Sequence, residues 1–191
     1  MRLENKQNSN QKTKQTMKIV AFSTSGSSTS INKQLLLSAL DHFNSGDIEL
    51  IDLNDYEMTI YNFDKEQKDG IPTKAIEFQN KIDEADLIIM AMAEHNGAYT
   101  VLFKNIFDWM TRIPERKTFP DKKMFLMSTS PGPMGGKVSL DIAAKRFPYH
   151  GANVIATFSL PSFYQNFKEG EGITNPALKL EFEKIIKQLK Q

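Results

Sequence analysis

The sequence predicts an α/β domain built on an open parallel β-sheet with helices on both faces. Three observations lead there. Short apolar runs alternate strictly with amphipathic, helix-spaced segments, and that alternation is the pattern of a parallel sheet joined by crossover helices. The apolar runs are continuous rather than alternating, as in strands buried on both faces. Finally, the segments following the first, third and fourth runs are polar or glycine-rich and each feeds a helix.

In order, Met17–Ser23 reads as the first buried strand. Ser30–Asn44 reads as a helix, with Ile31, Leu35, Leu36, Ala39, Leu40 and Phe43 at helical spacing and Gly46 as its stop. Ile48–Leu53 is the second strand. Asn54–Ile71, rich in Asp, Asn and Tyr, reads as a long irregular stretch. Pro72–Glu84 is a helix with proline in its first turn, where a missing N–H costs nothing. Asp86–Met92 is the third strand, and Thr100–Arg112 a strongly amphipathic helix. Lys123–Thr129 is the fourth strand, Gly136–Tyr149 a helix, Asn153–Ser159 the fifth strand. Asn175–Leu189 closes the chain as a helix capped by Thr174 or Asn175 and opened by Pro176. Five such strands suggest the order 2-1-3-4-5, the flavodoxin-like three-layer sandwich.

Composition sets limits on function. The 191 residues suffice for one domain with a substantial core. Residues 1–16 differ from the rest, being mostly Asn, Gln, Lys and Thr, and read as a disordered extension, with Met17 as a candidate natural start and 17–191 as the folded domain. They hold Arg2, Lys6, Lys12, Lys14 and Glu4, so the chain's net +1 becomes about −2 for the domain. A near-neutral domain gives no electrostatic case for nucleic acid or a membrane surface. The longest apolar run, Leu87–Ala93, is far too short to cross a bilayer, and the first sixteen residues have no apolar core of a secretory signal. Without cysteine, disulfides, thiolate catalysis and zinc–sulfur sites are excluded, and a reducing, cytoplasmic compartment is expected. The three histidines (His42, His95, His150) have no metal spacing, and no metal is expected.

Open α/β sheets place ligands beyond the carboxyl ends of their strands, so the three polar loops are expected to meet. The first, Ser23–Asn32, has seven Ser or Thr among ten residues and runs into a helix N-terminus. Unpaired N–H groups, the helix dipole and added hydroxyls can cradle a phosphate. The loop is also readable as a Ser-rich turn with an N-cap. It lacks a Walker lysine and the three glycines of a dinucleotide fingerprint. In the second, Glu94–Tyr99, Gly97 permits close backbone approach, Asn96 can both donate and accept, and His95 offers a planar ring. A helix-entry turn and a surface histidine are the plainer readings. The third, Ser128–Gly136, carries three glycines and two prolines over nine residues, more shaping than a plain connection needs. The stripe Phe103, Phe107, Trp109, Met110 reads as core, with a second face available for a dimer.

Together these loops resemble the NADPH-dependent FMN reductase family, flavodoxin-like proteins that include quinone, chromate and azo-dye reductases. The family's Gly-Ser-Leu-Arg-x-x-Ser-x-Asn is matched at Ser25 and Ser30-Ile31-Asn32, with Ser27 replacing the arginine. Its Pro-Glu-Tyr-Asn-Gly stands here as Ala93-Glu94-His95-Asn96-Gly97, and its Leu-Lys-Asn-Ala-Ile-Asp-Trp as Phe103–Trp109. A glycine loop, Ser130–Gly136, and the ending Gly172–Pro176 complete the likeness. The resemblance implies FMN as cofactor and NADPH or NADH as co-substrate. Ser25, Ser27, Ser30, Ile31 and Asn32 would hold the phosphate. Glu94, His95, Asn96 and Gly97 would lie against the isoalloxazine ring, and Ser130, Gly132, Gly135 and Gly136 would close over it. No side chain need be catalytic, since the flavin carries the chemistry; His95 would act as a protonatable modulator. The activity implied is ping-pong hydride transfer to quinones or similar small acceptors by a homodimer or homotetramer. A flavodoxin-like electron carrier, or a non-catalytic flavin sensor, is the alternative.

Overall fold

A computed structural model describes residues 17–190. The expectation for residues 1–16 lies outside the described residues. The sheet has strands β1 (Ile19–Ser23), β2 (Ile48–Ile51), β3 (Leu87–Ala91), β4 (Lys123–Thr129) and β5 (Asn153–Leu160). All four pairings are parallel, in the order β2-β1-β3-β4-β5, the expected flavodoxin-like order.

Side chains alternate across the pleat, so each strand feeds two cores. Val20, Phe22, Ile88, Met90, Met124 and Leu126 face one side, packing with α3 (Thr73–Glu84), α4 (Val101–Met110) and α5 (Lys137–Arg146). Ile19, Ala21, Leu87, Ile89, Phe125 and Met127 face the other, against α1 (Ile31–Leu40) and the terminal helix α6 (Pro176–Leu189). Both faces are covered, which explains why the strands read as unbroken apolar runs.

Several expected boundaries shift. The first helix ends at Leu40 rather than Asn44, because His42 and Phe43 N–H turn to i−3 carbonyls and the last turn tightens into 3₁₀ geometry. A separate 3₁₀ turn, Ser45–Asp47, contains Gly46, which is therefore not the stop. Pro72 is the N-cap of α3 and not part of its first turn. The helix expected over Gly136–Tyr149 divides into α5 and the 3₁₀ turn Phe147–His150, closed by Gly151 at φ 93°. The stretch expected to be irregular, Asn54–Ile71, contains a further helix, α2 (Phe63–Asp69). Asn62 Oδ1 caps it by accepting from Asp64 N–H, 2.9 Å. None of its residues is buried, so no apolar stripe betrays it.

Candidate functional site

The order 2-1-3-4-5 reverses direction at β1 and β3, so the loops beyond their carboxyl ends diverge and leave a crevice there. The loop after β4 joins them, and side chains bind all three to one another.

The first loop leaves β1 through Thr24, which is fully buried. Its Oγ1 accepts from Ala93 N–H at 2.8 Å, its N–H donates to Ala91 O at 2.9 Å, and its carbonyl accepts from Thr100 Oγ1 at 2.5 Å. Sequence reasoning missed Thr24, although it stands in the Ser/Thr run. Beyond it, Ser27 Oγ accepts from Thr29 N–H at 3.3 Å, and Ser25 Oγ from Ser27 N–H at 3.2 Å. Ser30 is the N-cap of α1 and accepts from Lys33 N–H at 3.2 Å. That leaves the N–H groups of Ile31 and Asn32 at the helix tip with no partner among the described residues. The Asn32 amide is buried and fully engaged with Thr129. It donates to the carbonyl at 3.1 Å and accepts from the N–H at 3.0 Å, tying the first loop to the end of β4. No acidic residue occupies the first turn of α1. The Lys33 ammonium lies 3.3 Å from the Asp52 carboxylate, which Asn54 N–H and Lys33 hold below the usual carboxylate range.

The second loop is a two-stranded ribbon, Glu94–His95 against Ala98–Tyr99. Asn96 at φ 53° and Gly97 at φ 72° form its turn. Two consecutive positive φ angles match the twist of a tight hairpin, and Asn-Gly is the pair that adopts them most readily. The plain helix-entry turn is thus replaced by a hairpin that projects the Asn96–Gly97 backbone. Neither N–H has a partner among the described residues. His95 and Asn96 are exposed. Glu94 points back: its Oε2 accepts from Ser139 N–H at 2.9 Å. Ser139 is in the first turn of α5, whose N-cap Gly136 has no side chain to offer. The Glu94 carboxylate therefore caps α5 from another loop, a favourable place for negative charge.

The third loop is held internally. Ser128 and Ser159 hydroxyls both donate to Gly135 O, at 2.8 and 3.1 Å. Gly135 has φ 60°, and a Cβ there would stand 2.4 Å from Ser159 Oγ and 3.0 Å from the Leu160 carbonyl. Only glycine meets both conditions. Gly136, at φ 70°, lies similarly against Ser128 and Thr129. Gly132 faces open space instead, and Ser130 Oγ donates to its carbonyl at 3.2 Å. The structure thus brings the predicted residues to one edge. Asn32, Glu94, Gly135 and Gly136 brace the loops, while Ile31, Asn96 and Gly97 leave backbone N–H groups without a partner among the described residues, the Ile31 side chain packing on the second core.

Residues 17–165 match the family described as NADPH-dependent FMN reductase. This chain belongs to that family. A Mycoplasma pneumoniae protein without an assigned function is 31% identical over 149 residues, covering 74% of this chain and 85% of its own. The Arabidopsis thaliana NADPH:quinone oxidoreductase is 32% identical over 125 residues, 63% of this chain and 62% of that one. Among solved structures, the Paracoccus denitrificans flavoenzyme NAD(P)H:(acceptor) oxidoreductase superposes with a TM-score of 0.71 at 19% identity, covering 90% and 94% of the two chains. That likeness establishes the shared fold.

The family's cofactor, FMN, and its donor, NAD(P)H, are anionic and rich in hydrogen-bond acceptors. The rim fits such a group: N–H groups at a helix tip and a hairpin tip are unpaired among the described residues, hydroxyls surround the first, and no acidic residue occupies the first turn of α1. The larger cavity, about 370 Å³, lies elsewhere, between α1, α6 and the ribbon Phe167–Ile173, and touches none of these residues. A smaller cleft of about 250 Å³ adjoins α4 beside the rim. Among the described residues no cluster of His, Asp or Glu is arranged to hold a metal.

Proposed function

We propose that this protein is an FMN-dependent NAD(P)H oxidoreductase that reduces quinones or similar small acceptors in a ping-pong cycle. One observation carries the reading: three loops, cross-braced by Thr24, Asn32 and Glu94, meet at the sheet's switch point, and the first two present backbone N–H groups unpaired among the described residues. Family membership agrees with it.

When bound, FMN would supply the two-electron redox chemistry between the nicotinamide and the acceptor. The chain's residues bind and orient. Ile31 and Asn32 N–H, with the Ser25, Ser27 and Ser30 loop, hold the phosphate. This cradle works without the arginine that Ser27 replaces, a contact that contributes about 1.5–3 kcal/mol where present. Asn96 and Gly97 N–H would be the fixed donors offered to the isoalloxazine ring, suited to stabilising negative charge on it. His95, on the exposed face of the hairpin, is a protonatable neighbour. Ser130 and Gly132 form the opposite lip, and Gly135 and Gly136 shape it.

The reading includes a cytoplasmic location and a homodimer or homotetramer. The lack of cysteine supports the first. Exposed Val138, Ile142 and Tyr149 along α5 and the turn after it support the second. No described helix is long and apolar enough to cross a membrane.

The test is spectroscopic. Protein purified or reconstituted with FMN should show the oxidised flavin spectrum, bleach with NADPH or NADH, and recover on adding a quinone. Failure to retain FMN rejects the reading. Flavin that bleaches only with a separate reductase present identifies an electron carrier instead.

A further inference from the structure

The cavity of about 370 Å³ touches none of the loops proposed to hold the flavin. It lies between α1, α6 and the ribbon formed by Phe167–Lys168 against Gly172–Ile173. Local geometry holds it open. Phe167 stacks on buried Phe163 at 4.7 Å, and Thr174 N–H donates to Asn166 O at 2.8 Å, so the base of the ribbon is fixed. The tip turns through Glu169–Glu171, with Gly170 at φ 77°, and a Lys168–Glu171 ion pair spans it. Gly172, at φ 75°, brings the ribbon against α1, where a Cβ would stand 3.3 Å from Ser38 Oγ. Glycine permits both the positive φ and this approach.

The cavity joins an apolar floor to an acidic rim. Phe182 and Ile173, both buried members of the second core, form the floor, and Leu37 and Phe167 are walls. Leu37 is 40% exposed, an apolar side chain that the fold leaves uncovered. Each enclosing element adds acid: Asp41 from the end of α1, Glu169 and Glu171 from the ribbon turn, Glu183 from α6. The basic groups in the lining are Lys179 and His42, which meets Phe182 edge-on at 6.1 Å. Glu171 is paired with Lys168, whereas Asp41, Glu169 and Glu183 have no ion-pair partner among the described residues. Asp41 is the C-cap of α1, where the helix dipole already disfavours negative charge, and no basic residue stands in that last turn. Three unpaired carboxylates beside apolar walls focus a negative potential into the cavity.

We propose that this cavity binds an organic cation with an apolar body, an alkyl- or arylamine, at a site separate from the flavin rim. The body lies on Leu37, Phe167, Ile173 and Phe182, and the ammonium meets Asp41, Glu169 and Glu183. The phenyl rings favour the same ligand, because a cation is drawn to a ring face. The volume is at the lower end of the range for small-molecule pockets, which suits a single ring on a short amine chain. An anion would find Lys179 outweighed by three carboxylates. A neutral apolar molecule would leave those carboxylates unmatched. The inference stands apart from the oxidoreductase reading and survives its failure.

The probe is phenylbutylamine, titrated into the full chain while backbone amide shifts are followed by NMR, with phenylbutanol and phenylbutyrate for comparison. Saturable shifts are expected at Leu37–His42, Glu169–Ile173 and Lys179–Glu183. The alcohol should bind about tenfold more weakly than the amine, and the acid should give no saturable shift. Glu169→Gln with Glu183→Gln removes two exposed charges. It should weaken the amine about fivefold and leave the alcohol unchanged, a split that loss of fold does not give. Leu37→Ser should weaken amine and alcohol alike. Glu181→Gln, at an exposed position of α6 outside the lining, should bind as the parent does. Shifts that do not saturate, or that are equal for amine, alcohol and acid, overturn the proposal. Amine binding untouched by the paired glutamines does the same. If Leu37→Ser dissociates an oligomer in sedimentation velocity, the cavity is a contact between copies and the proposal falls. It falls too if Lys6→Gln, Lys12→Gln and Lys14→Gln together tighten amine binding about tenfold, because the chain's own N-terminal residues then compete for the cavity.

Discussion

The Glu94 cap makes the most demanding prediction, because one carboxylate joins two loops of the site. Replacing it by alanine removes the bond from Ser139 N–H, 2.9 Å. Gly136 cannot take over, having no side chain. A hydrogen bond to a charged group contributes about 1.5–3 kcal/mol, whereas loss of an ordinary N-cap costs about 0.5–2 kcal/mol. Glu94 is half-buried, so solvent recovers part of the loss, and about 1.5–2.5 kcal/mol is expected from these ranges. Glu94→Gln keeps an acceptor of the same length and removes only the charge. It should lose about 0.3–1 kcal/mol, the usual worth of a charge at a helix N-terminus. Urea denaturation of the FMN-free variants measures both. FMN titration, followed by flavin fluorescence, then shows whether freeing the hairpin from α5 weakens binding. Alanine should weaken it several-fold and glutamine less than twofold. If alanine lies within about 0.5 kcal/mol of the parent, the range of an ordinary surface change, the cap does not brace the site. If glutamine is as damaging as alanine, the partition between bond and charge is wrong.

Other predictions follow from the same bracing. Thr24→Val keeps the shape but strands the buried Ala93 N–H, so denaturation should show a loss of about 1–3 kcal/mol. Gly135→Ala forces an unfavourable φ and a clash with Ser159 and Leu160. It should cost about 2–5 kcal/mol, the combined range for a left-handed non-glycine residue and overpacking, and Ser159→Ala should recover only part of it, because the Leu160 backbone remains. Tyr99 has a buried hydroxyl without a hydrogen-bond partner among the described residues, and burial pushes its pKa up to about 12 from 10. The folded state holds that proton more tightly than the unfolded one. Its contribution is therefore complete below pH 10 and is lost as pH rises from 10 to 12. Tyr99→Phe should be no less stable at pH 7 and should lose less stability across that alkaline window, as urea titrations at each pH would show.

Much of this was legible in the sequence because burial on both faces imposes a simple code. Val20 and Phe22 serve one core and Ile19 and Ala21 the other, so the run is apolar throughout and reads as a central strand. Helix α2 was not legible, since Asn62 and Gly70 mark its ends but no residue between them is buried. The Asn96–Gly97 hairpin had a local signal, the Asn-Gly pair, which a ribbon of two residues per strand was too short to reinforce. The convergence of the loops was legible from strand order. Thr24, which joins two of them, was not. Its bonds reach residues 69 and 76 positions away, and nothing local distinguishes it from the serines beside it.

The bracing also explains why a changed first motif need not disable the site. Asn32, a motif residue, uses its amide on Thr129, and Glu94, another, uses its carboxylate on Ser139. These side chains fix the relative position of three loops. What they leave pointing outward is backbone: the N–H groups of Ile31, Asn32, Asn96 and Gly97. Backbone donors survive most substitutions, provided the loops keep their shape. An arginine lost at Ser27 removes one charged contact and none of the braces. By this logic the damaging changes are those to the braces, and variation in the outward side chains, His95 included, tunes the site while leaving its frame intact.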